Sequence, residues 1–285
     1  MIPDVQMFEA SPRDGLQNEA RPIATADKIA LIDMLSRAGF SRIEATSFVS
    51  PRWVPQMADA AEVMAGIARA PGVSYAVLTP NMKGYEGARA AKASEVSVFA
   101  SASEGFSKAN INATVEESLA RFAPVLAAAK ADGMPVRGYI SCVTDCPFDG
   151  PVAPGAVAAL AGKLLAMGCV DIGLGDTIGA ATPETTDAML AAVLNEVPAH
   201  LLAGHFHDTG GRALDNIVVS LDRGLRMFDA CVGGLGGCPY APGAKGNVAT
   251  ESVVAMLEAR GLSTGLDLSA LAAAAVFARS LREPI

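Results

Sequence analysis

Short stretches rich in β-branched residues alternate with longer alanine-rich stretches along most of the chain, and this alternation constrains the fold most strongly. Strands that alternate with helices form parallel sheets, because the chain must cross back between consecutive strands. Eight such units within about 250 residues are typical of a (β/α)₈ TIM barrel. The predicted strands cover residues 5–10, 42–47, 74–79, 95–100, 136–141, 170–175, 201–207 and 227–232.

The stretches between the strands carry helix-end signals. Several of them begin at Thr or Pro and end at Gly, as helices prefer. No low-complexity linker or change in composition divides the chain, so we expect one barrel domain over residues 1–285, in which 266–285 form an additional C-terminal helix. We expect this helix to pack against the barrel or a second subunit. The predicted helices cover residues 25–39, 114–133, 153–168 and 182–197.

A doubly wound open sheet is the structural alternative to a barrel. Such a sheet usually carries a glycine-rich dinucleotide-binding turn after its first strand. The corresponding stretch here, "EASPRDGLQN", is not such a turn, and the barrel is therefore favoured.

Charge and cysteine content exclude several classes of function. The formal net charge of −8 argues against a nucleic-acid partner, although a few Lys or Arg residues could still hold a phosphorylated small molecule. Five cysteines without CxxC pairs indicate free thiols in a reducing compartment. The sequence shows neither an apolar leader nor a long apolar run, so we expect a cytoplasmic protein with no membrane role. We also expect a homo-oligomer, either a dimer or a tetramer.

Polar residues collect at the predicted C-terminal ends of the strands, where barrel enzymes place their chemistry. They belong to strands that are distant in sequence, so only barrel closure would bring them together. They are Ser11, Arg13, Asp14 and Gln17 after strand one, Glu44 on strand two, Tyr139 and Ser141 on strand five, Asp176 and Thr177 after strand six, and His205 and His207 on strand seven.

The stretch "HFHDT" places two of the three histidines on one predicted strand. Because strand side chains alternate, His205 and His207 point to one side and Phe206 to the other. Two imidazoles inside a barrel form half of a metal site, and Asp14 could add a carboxylate. A set of nitrogen and oxygen ligands suits a divalent ion, most typically Mg²⁺ or Mn²⁺. A hydrogen-bonded pair of buried histidines is the alternative.

A second unusual stretch, "CVGGLGGCPYAPGAKGNVATE", follows strand eight and is too rich in Gly and Pro to form a helix or strand. We expect a loop over the mouth of the barrel, with Cys238 in its middle. Asn247 either caps the next helix or offers a side-chain oxygen to the metal, and the residues alone leave both roles open.

Several motifs together resemble the 3-hydroxy-3-methylglutaryl-CoA lyase family. The similarity runs in unbroken order from about residue 5 to residue 265 and is carried by "SPRDGLQNE", "IEATSFVSPRWVPQM", "VLTPNMKG", "VRGYISCV", "LGDTIG", "HFHDT" and "GLGGCPYAPGAKGNVATE". The resemblance implies a TIM-barrel enzyme that cleaves an acyl-CoA substrate, with a divalent metal, into acetyl-CoA and a 3-keto acid, acetoacetate for the usual substrate.

The resemblance also assigns roles to individual residues. It implies Asp14, His205, His207 and Asn247 as metal ligands, which favours the ligand role for Asn247. It implies that Arg13 meets the thioester oxygen, that Asp14 or His205 accepts the hydroxyl proton, and that Glu44 orients polar groups. Cys238 would act in proton transfer, and the substrate-binding residues would be Gln17, Arg137 and Asp176. Lys83, Lys108 and Arg52 are candidates for contacts with the CoA nucleotide.

Three glycines depart from the pattern common in that family: Gly105, Gly173 and Gly210. We expect each to open space or remove a polar contact, so the substrate is either 3-hydroxy-3-methylglutaryl-CoA or a close analogue with another alkyl group on C3. Two other functions remain as alternatives: a condensing enzyme of the isopropylmalate- or homocitrate-synthase type, and a catalytically silent acyl-CoA-binding protein.

Overall fold

Eight parallel strands close into a barrel in the computed structural model, which describes residues 3–237 and 246–282. Each strand pairs with its neighbours in chain order, and the first pairs with the last, so the predicted (β/α)₈ barrel is confirmed. The barrel strands are β1 (Gln6–Glu9), β2 (Arg42–Ser47), β3 (Ser74–Leu78), β4 (Glu95–Ser101), β5 (Val136–Ser141), β6 (Asp171–Asp176), β7 (Leu202–Phe206) and β8 (Met227–Ala230).

Helices surround the barrel and cover its outer face. Within the described part of the chain, none of them is long and apolar enough to cross a membrane. The helices are α1 (Thr25–Arg37), α2 (Ala60–Gly66), α3 (Met82–Ala90), α4 (Glu104–Ile111), α5 (Val115–Asp132), α6 (Pro154–Met167), α7 (Pro183–Val193), α8 (Ala213–Asp222), α9 (Thr250–Ala259) and α10 (Leu268–Ser280).

Local capping explains why the predicted ends of α5 and α6 agree with the structure, whereas α7, predicted over 182–197, ends at Val193. Thr114 and Glu117 form a reciprocal capping box at the start of α5. Gly133 and Gly168 end α5 and α6 with φ values of 68° and 111°, a left-handed conformation that glycine adopts without a steric penalty. Helix α4 was not predicted; it is short, and Ser103 caps its start by accepting a hydrogen bond from the Phe106 amide.

The predicted C-terminal helix is present as α10. Asp267 caps it by accepting hydrogen bonds from the amides of Ser269 and Ala270, both at 2.9 Å. Its buried face, which includes Leu271 and Ala275, packs against α1, α9 and the segment after β8. The helix therefore lies beside the chain that leads into the glycine-rich loop.

The interior of the barrel contains paired charges where many barrels have aliphatic layers. Arg42 forms ion pairs with Glu95 and with Asp171, the latter at 2.6 Å. Nearer the C-terminal end, Arg137 forms an ion pair with Asp229 at 2.8 Å, and both side chains are completely buried. Because each charge has an opposite partner, this interior tolerates burial that an isolated ion would not.

Candidate active site and metal centre

Asp14, His205 and His207 come together at the C-terminal end of the barrel. One ligand atom from each residue can be chosen so that the three lie within 4.8 Å of one another. Asp14 Oδ2 lies 3.7 Å from Nε2 of His205 and 3.9 Å from Nε2 of His207. The two imidazoles face the same side of β7, while Phe206 is buried in the hydrophobic core, as strand alternation predicts.

A single turn of π-helix, Ser11–Gly15, directs Asp14 into this centre immediately after β1. The amides of Arg13, Asp14 and Gly15 all donate to the carbonyl oxygen of Ala10, at 3.2, 2.8 and 3.3 Å. This tight turn places consecutive polar side chains at the mouth of the barrel. Single-turn π-helical distortions are frequent at functional sites.

Asn247 completes the cluster from the other end of the chain. Its Nδ2 donates to Asp14 Oδ2 at 2.7 Å, and its side chain is buried. The interpretation of Asn247 as a helix cap is wrong, because the cap of α9 is Ala249, two residues later. The structure instead places the Asn247 amide group directly beside the Asp14 carboxylate.

The ionisation of the three residues suits a divalent cation. Burial, together with the neighbouring His205, lowers the pKa of His207 to about 4, so its imidazole is neutral. Burial opposes ionisation of Asp14, but the neighbouring positive charge, chiefly that of Arg13, outweighs it and lowers the Asp14 pKa. The Nδ1 atom of His207 is buried without a hydrogen-bond partner in the part of the chain that the structure describes. Burial opposes protonation of His205, but Asp229 and Asp14 outweigh it and raise the His205 pKa, so His205 binds an ion only in its neutral form. The two imidazoles, the Asp14 carboxylate and the Asn247 amide together form a donor set that fits such an ion.

Arg13 lies beside the centre and is clamped between two carboxylates. Its Nε donates to Glu44 Oε2 and its Nη1 to Asp14 Oδ1, both at 2.6 Å. Burial opposes the charged form of Arg13, but Glu44 and Asp14 outweigh it and raise the Arg13 pKa. Burial raises the pKa of Glu44, and none of the residues that the structure describes forms a hydrogen bond with Glu44 Oε1. The arrangement presents a fixed cation next to the cluster of possible metal ligands.

Of the predicted substrate-binding residues, Gln17 touches the centre and Asp176 supports a neighbouring loop. Gln17 Nε2 donates to Asp14 Oδ1 at 3.3 Å. The two carboxylate oxygens of Asp176 accept the amides of Ala180 and Ala181, each at 3.1 Å, and burial raises the Asp176 pKa to about 6. Asp176 thus shapes the turn that follows β6.

Arg137 lies deeper in the barrel than its predicted role implies. Its guanidinium pairs with Asp229 and stacks over the rings of Phe8 and Tyr139, with its central carbon 4.2 and 4.9 Å from their centroids. The side chain is fully buried, and its Nε lies 3.5 Å from Oδ1 of Asp171. Within the described residues, neither Nε nor Nη1 has a hydrogen-bond partner. The two carboxylates and the two aromatic faces together stabilise the buried cation.

Sequence reasoning missed two buried carboxylates, Asp229 and Glu9. Asp229 Oδ2 lies 3.1 Å from Nδ1 of His205. Glu9 accepts hydrogen bonds from the amides of Ser11 and Val232, both at 3.0 Å, and from the Thr250 hydroxyl at 2.7 Å. The sequence does carry a signal for both residues, since each is a single carboxylate inside an apolar strand, in "MFDACV" and "VQMFEA". Burial of such a group without a partner is costly, so a carboxylate at these positions indicates a buried polar contact.

The three unusual glycines do not enlarge a substrate pocket as expected. A Cβ atom at Gly173 would lie 2.6 Å from Cδ1 of Tyr139, and one at Gly105 would lie 2.3 Å from Oδ1 of Asp149. At Gly210 it would lie 3.0 Å from the carbonyl oxygen of Gly179. In each case other atoms of the protein already fill the space, so the expectation that these positions open room for substrate is wrong.

Cys238 lies outside the described residues, but the segment that leads to it is well anchored. Asn18 Nδ2 donates to the carbonyl oxygen of Gly237 at 3.1 Å, and Arg282 donates to that of Gly236 at 3.3 Å. Cys169 and Cys231 are buried in the core, as predicted. The candidate CoA contacts, Arg52, Lys83 and Lys108, are exposed and follow strands β2, β3 and β4.

Comparison with known proteins agrees with this geometry. Residues 4–277 match the HMGL-like family. The chain belongs to the HMGL-like family. It is 58% identical over 267 residues to the mitochondrial hydroxymethylglutaryl-CoA lyase of Gallus gallus, which covers 94% of this chain and 90% of the relative.

Two bacterial proteins are similar over comparable lengths. A 3-hydroxy-3-isohexenylglutaryl-CoA/hydroxymethylglutaryl-CoA lyase of Pseudomonas aeruginosa is 56% identical over 94% of this chain and 89% of its own. The crystal structure of the HMG-CoA lyase from Brucella melitensis superposes with a TM-score of 0.98 at 63% identity, covering 99% of this chain and all of that one. The family resemblance inferred from the motifs is therefore confirmed.

Proposed function

We propose that this protein is a divalent-metal-dependent carbon–carbon lyase that cleaves 3-hydroxy-3-methylglutaryl-CoA to acetyl-CoA and acetoacetate. The observation that carries the proposal is the convergence of Asp14, His205, His207 and Asn247 beside the clamped guanidinium of Arg13. The similarity to lyases of this name over nine-tenths of the chain supports the reaction class.

Asp14, His205, His207 and Asn247 would hold the metal, and Mg²⁺ or Mn²⁺ matches their donor atoms. A bound divalent ion would acidify the tertiary hydroxyl group of the substrate and fix its carboxylate. Two groups at this centre can accept the hydroxyl proton, Asp14 and His205. The Asp14 carboxylate keeps free lone pairs while it binds the ion, whereas Nε2 of His205 can accept the proton only when it is not bound to the ion. The atom that accepts the proton must be unprotonated when the substrate binds.

Arg13 supplies the positive charge that the departing acetyl group requires. Cleavage of the C2–C3 bond leaves negative charge on the thioester oxygen, and this charge is absent from the bound substrate. A buried guanidinium stabilises it strongly because few water molecules screen the interaction. Glu44 and Asp14 hold Arg13 in one orientation, so little reorganisation is needed as the bond breaks. We assign protonation of the acetyl carbon to Cys238, on the motif resemblance.

The alkyl group on C3 of the substrate is the open part of this proposal. The Pseudomonas aeruginosa relative is named for both a methyl and an isohexenyl substrate. Neighbouring atoms of the protein already fill the space beside the three glycines that suggested a larger group, so the methyl compound is the favoured substrate.

The decisive experiment is a cleavage assay on purified protein. HMG-CoA and 3-hydroxy-3-isohexenylglutaryl-CoA are supplied with Mg²⁺ or Mn²⁺, and acetyl-CoA is measured. We expect cleavage of HMG-CoA that stops with a chelator and returns when metal is added. Unchanged activity after complete chelation would contradict the metal role. Net formation of hydroxyacyl thioesters from acetyl-CoA and keto acids, without cleavage of HMG-CoA, would instead favour a condensing enzyme.

A further inference from the structure

We propose that Asp229 is a positioning residue, which holds the His205 imidazole in the form protonated at Nδ1 and leaves Nε2 bare toward Asp14. The inference deepens the proposed function and rests on it, because a metal ligand or proton acceptor at His205 needs an unprotonated Nε2.

Barrel register brings the two side chains together. Asp229 on β8 is paired directly with His205 on β7, so both side chains point into the barrel at the same level. Oδ2 of Asp229 lies 3.1 Å from Nδ1 of His205, and Asp229 is fully buried. Residues that are paired on adjacent strands lie side by side on the same face of the sheet, so the backbone register alone brings these two side chains into contact.

Arg137, which lies deeper in the barrel, holds the carboxylate of Asp229 in place. Its Nη2 donates to Oδ1 of Asp229 at 2.8 Å, and neither side chain has any exposed surface. Because the guanidinium is a permanent cation, the carboxylate beside it remains an anion that can only accept hydrogen bonds. The proton between Asp229 and His205 must therefore reside on Nδ1. Arg137 acts on His205 through this carboxylate.

His207 provides an internal comparison. Its Nε2 also faces Asp14, yet its Nδ1 is buried without a hydrogen-bond partner among the described residues. The two imidazoles therefore have similar burial but different support. Metal-binding histidines usually donate their second ring N–H group to a carboxylate, carbonyl or water, and only His205 has such a carboxylate here.

The substitution Asp229→Asn should reverse the tautomer with little change in volume. Arg137 can only donate, so it will take the amide oxygen and leave the amide N–H group facing Nδ1 of His205. Nδ1 must then accept, and the imidazole proton moves to Nε2. A neutral imidazole with a proton on Nε2 can neither bind a metal through that atom nor accept a proton there.

The first measurement is long-range ¹H–¹⁵N NMR on the metal-free protein, which does not depend on activity. The chain has three histidines, and His200→Gln removes the exposed one to complete the assignment. The spectra are recorded over a pH series that reaches the neutral form of His205, because Asp229 and Asp14 outweigh the effect of burial and raise its pKa. We expect neutral His205 to carry its proton on Nδ1 in the wild-type chain and on Nε2 in D229N, with His207 unchanged between them. Neutral wild-type His205 protonated at Nε2 would overturn the proposal, even if D229N fails to fold.

The second measurement is Mn²⁺ affinity, determined by titration with electron paramagnetic resonance. We expect D229N to bind Mn²⁺ roughly 10–100-fold more weakly, the usual effect of losing such a support. Glu95→Gln is the matched control, because Glu95 is another buried carboxylate of the barrel interior that pairs with Arg42 and does not contact His205. Equal weakening in both variants, or none in D229N, would overturn the positioning role.

These results separate this inference from the proposed function. A wild-type protein that cleaves no acyl-CoA thioester would refute the lyase activity, while the tautomer of His205 would still decide the role of Asp229. Conversely, an active lyase whose His205 keeps Nδ1 protonated in D229N would refute the positioning role alone.

Discussion

Asn247 donates a hydrogen bond of 2.7 Å to the carboxylate of Asp14, a residue 233 positions earlier in the chain. This contact joins the turn after the first strand to the segment before the last barrel helix. The candidate metal centre is therefore complete only when the first and last strands of the barrel are paired. Loss of either residue should affect metal binding more than it affects the neighbouring helices.

Replacing His207 by Ala should remove a metal ligand while leaving the fold intact. We expect metal content after dialysis against Mn²⁺ to fall and turnover to be abolished, because the remaining donors cannot complete the site. His200→Ala is the matched control, since this imidazole is exposed and precedes β7, at the opposite end of the strand from His207. Full activity and unchanged metal content in H207A would remove His207 from the ligand set.

Replacing Arg13 by Met should act on the transition state. The charge on the thioester oxygen develops only as the bond breaks, so kcat should fall by on the order of 10³-fold or more while KM changes little. Arg223→Met, which breaks a surface ion pair with Asp187, should leave both constants unchanged. A large rise in KM with a nearly normal kcat would show that Arg13 only binds substrate.

Glu9 should make the free energy of unfolding fall as the pH rises, the opposite of the usual effect of a buried, ion-paired carboxylate. Burial raises its pKa from the ordinary 4.5 to about 7, so the folded state binds this proton more tightly than the unfolded state. Its contribution to stability is therefore full below about pH 4.5 and is lost as the pH rises to about 7.

The substitution Glu9→Gln tests this dependence, because an amide can accept from the Ser11 and Val232 amides and donate to Thr250. Denaturant unfolding should show E9Q gaining on the wild type as the pH rises, by about 3 kcal/mol between pH 4.5 and pH 7. A constant difference across this range would show that Glu9 ionises normally.

Gly173→Ala should destabilise the protein because its Cβ would lie 2.6 Å from the Tyr139 ring. We expect a loss of about 1–3 kcal/mol in the free energy of unfolding, as for other overpacked cores, and reduced activity as the ring shifts near His205. Gly155→Ala is the control: that position in α6 has open space, and alanine should stabilise the helix by up to about 1 kcal/mol. Unchanged stability in G173A would show that Tyr139 moves freely.

Cys238→Ser tests the thiol in the glycine-rich segment. Serine is nearly isosteric but a far weaker acid, so the variant should bind metal and substrate normally and lose most of its turnover. In the wild type, saturating acyl-CoA should slow alkylation of Cys238. Cys169→Ser, at a buried core position, should keep its activity if the fold is retained. A near-normal kcat in C238S would mean that another group supplies the proton.

The sequence by itself determined the barrel and most of the site. Strand β5 has the predicted bounds, and His205 and His207 share a face, because the period of side chains along a strand is fixed by backbone geometry. Capping signals such as Thr114 and Gly133 act within a few residues and could be read directly. The motif resemblance added Asn247 to the ligand set, and the structure places it beside Asp14.

Only the tertiary structure decided which neighbours each polar group has. Asp229 supports His205, and Arg137 supports Asp229, because closure of the barrel sets strands β5, β7 and β8 in one register. The space beside Gly105 is filled by Asp149, a residue 44 positions later along the chain. Local patterns record which face a residue occupies, whereas packing across the barrel depends on residues far apart in sequence, and the chain order does not reveal those partners.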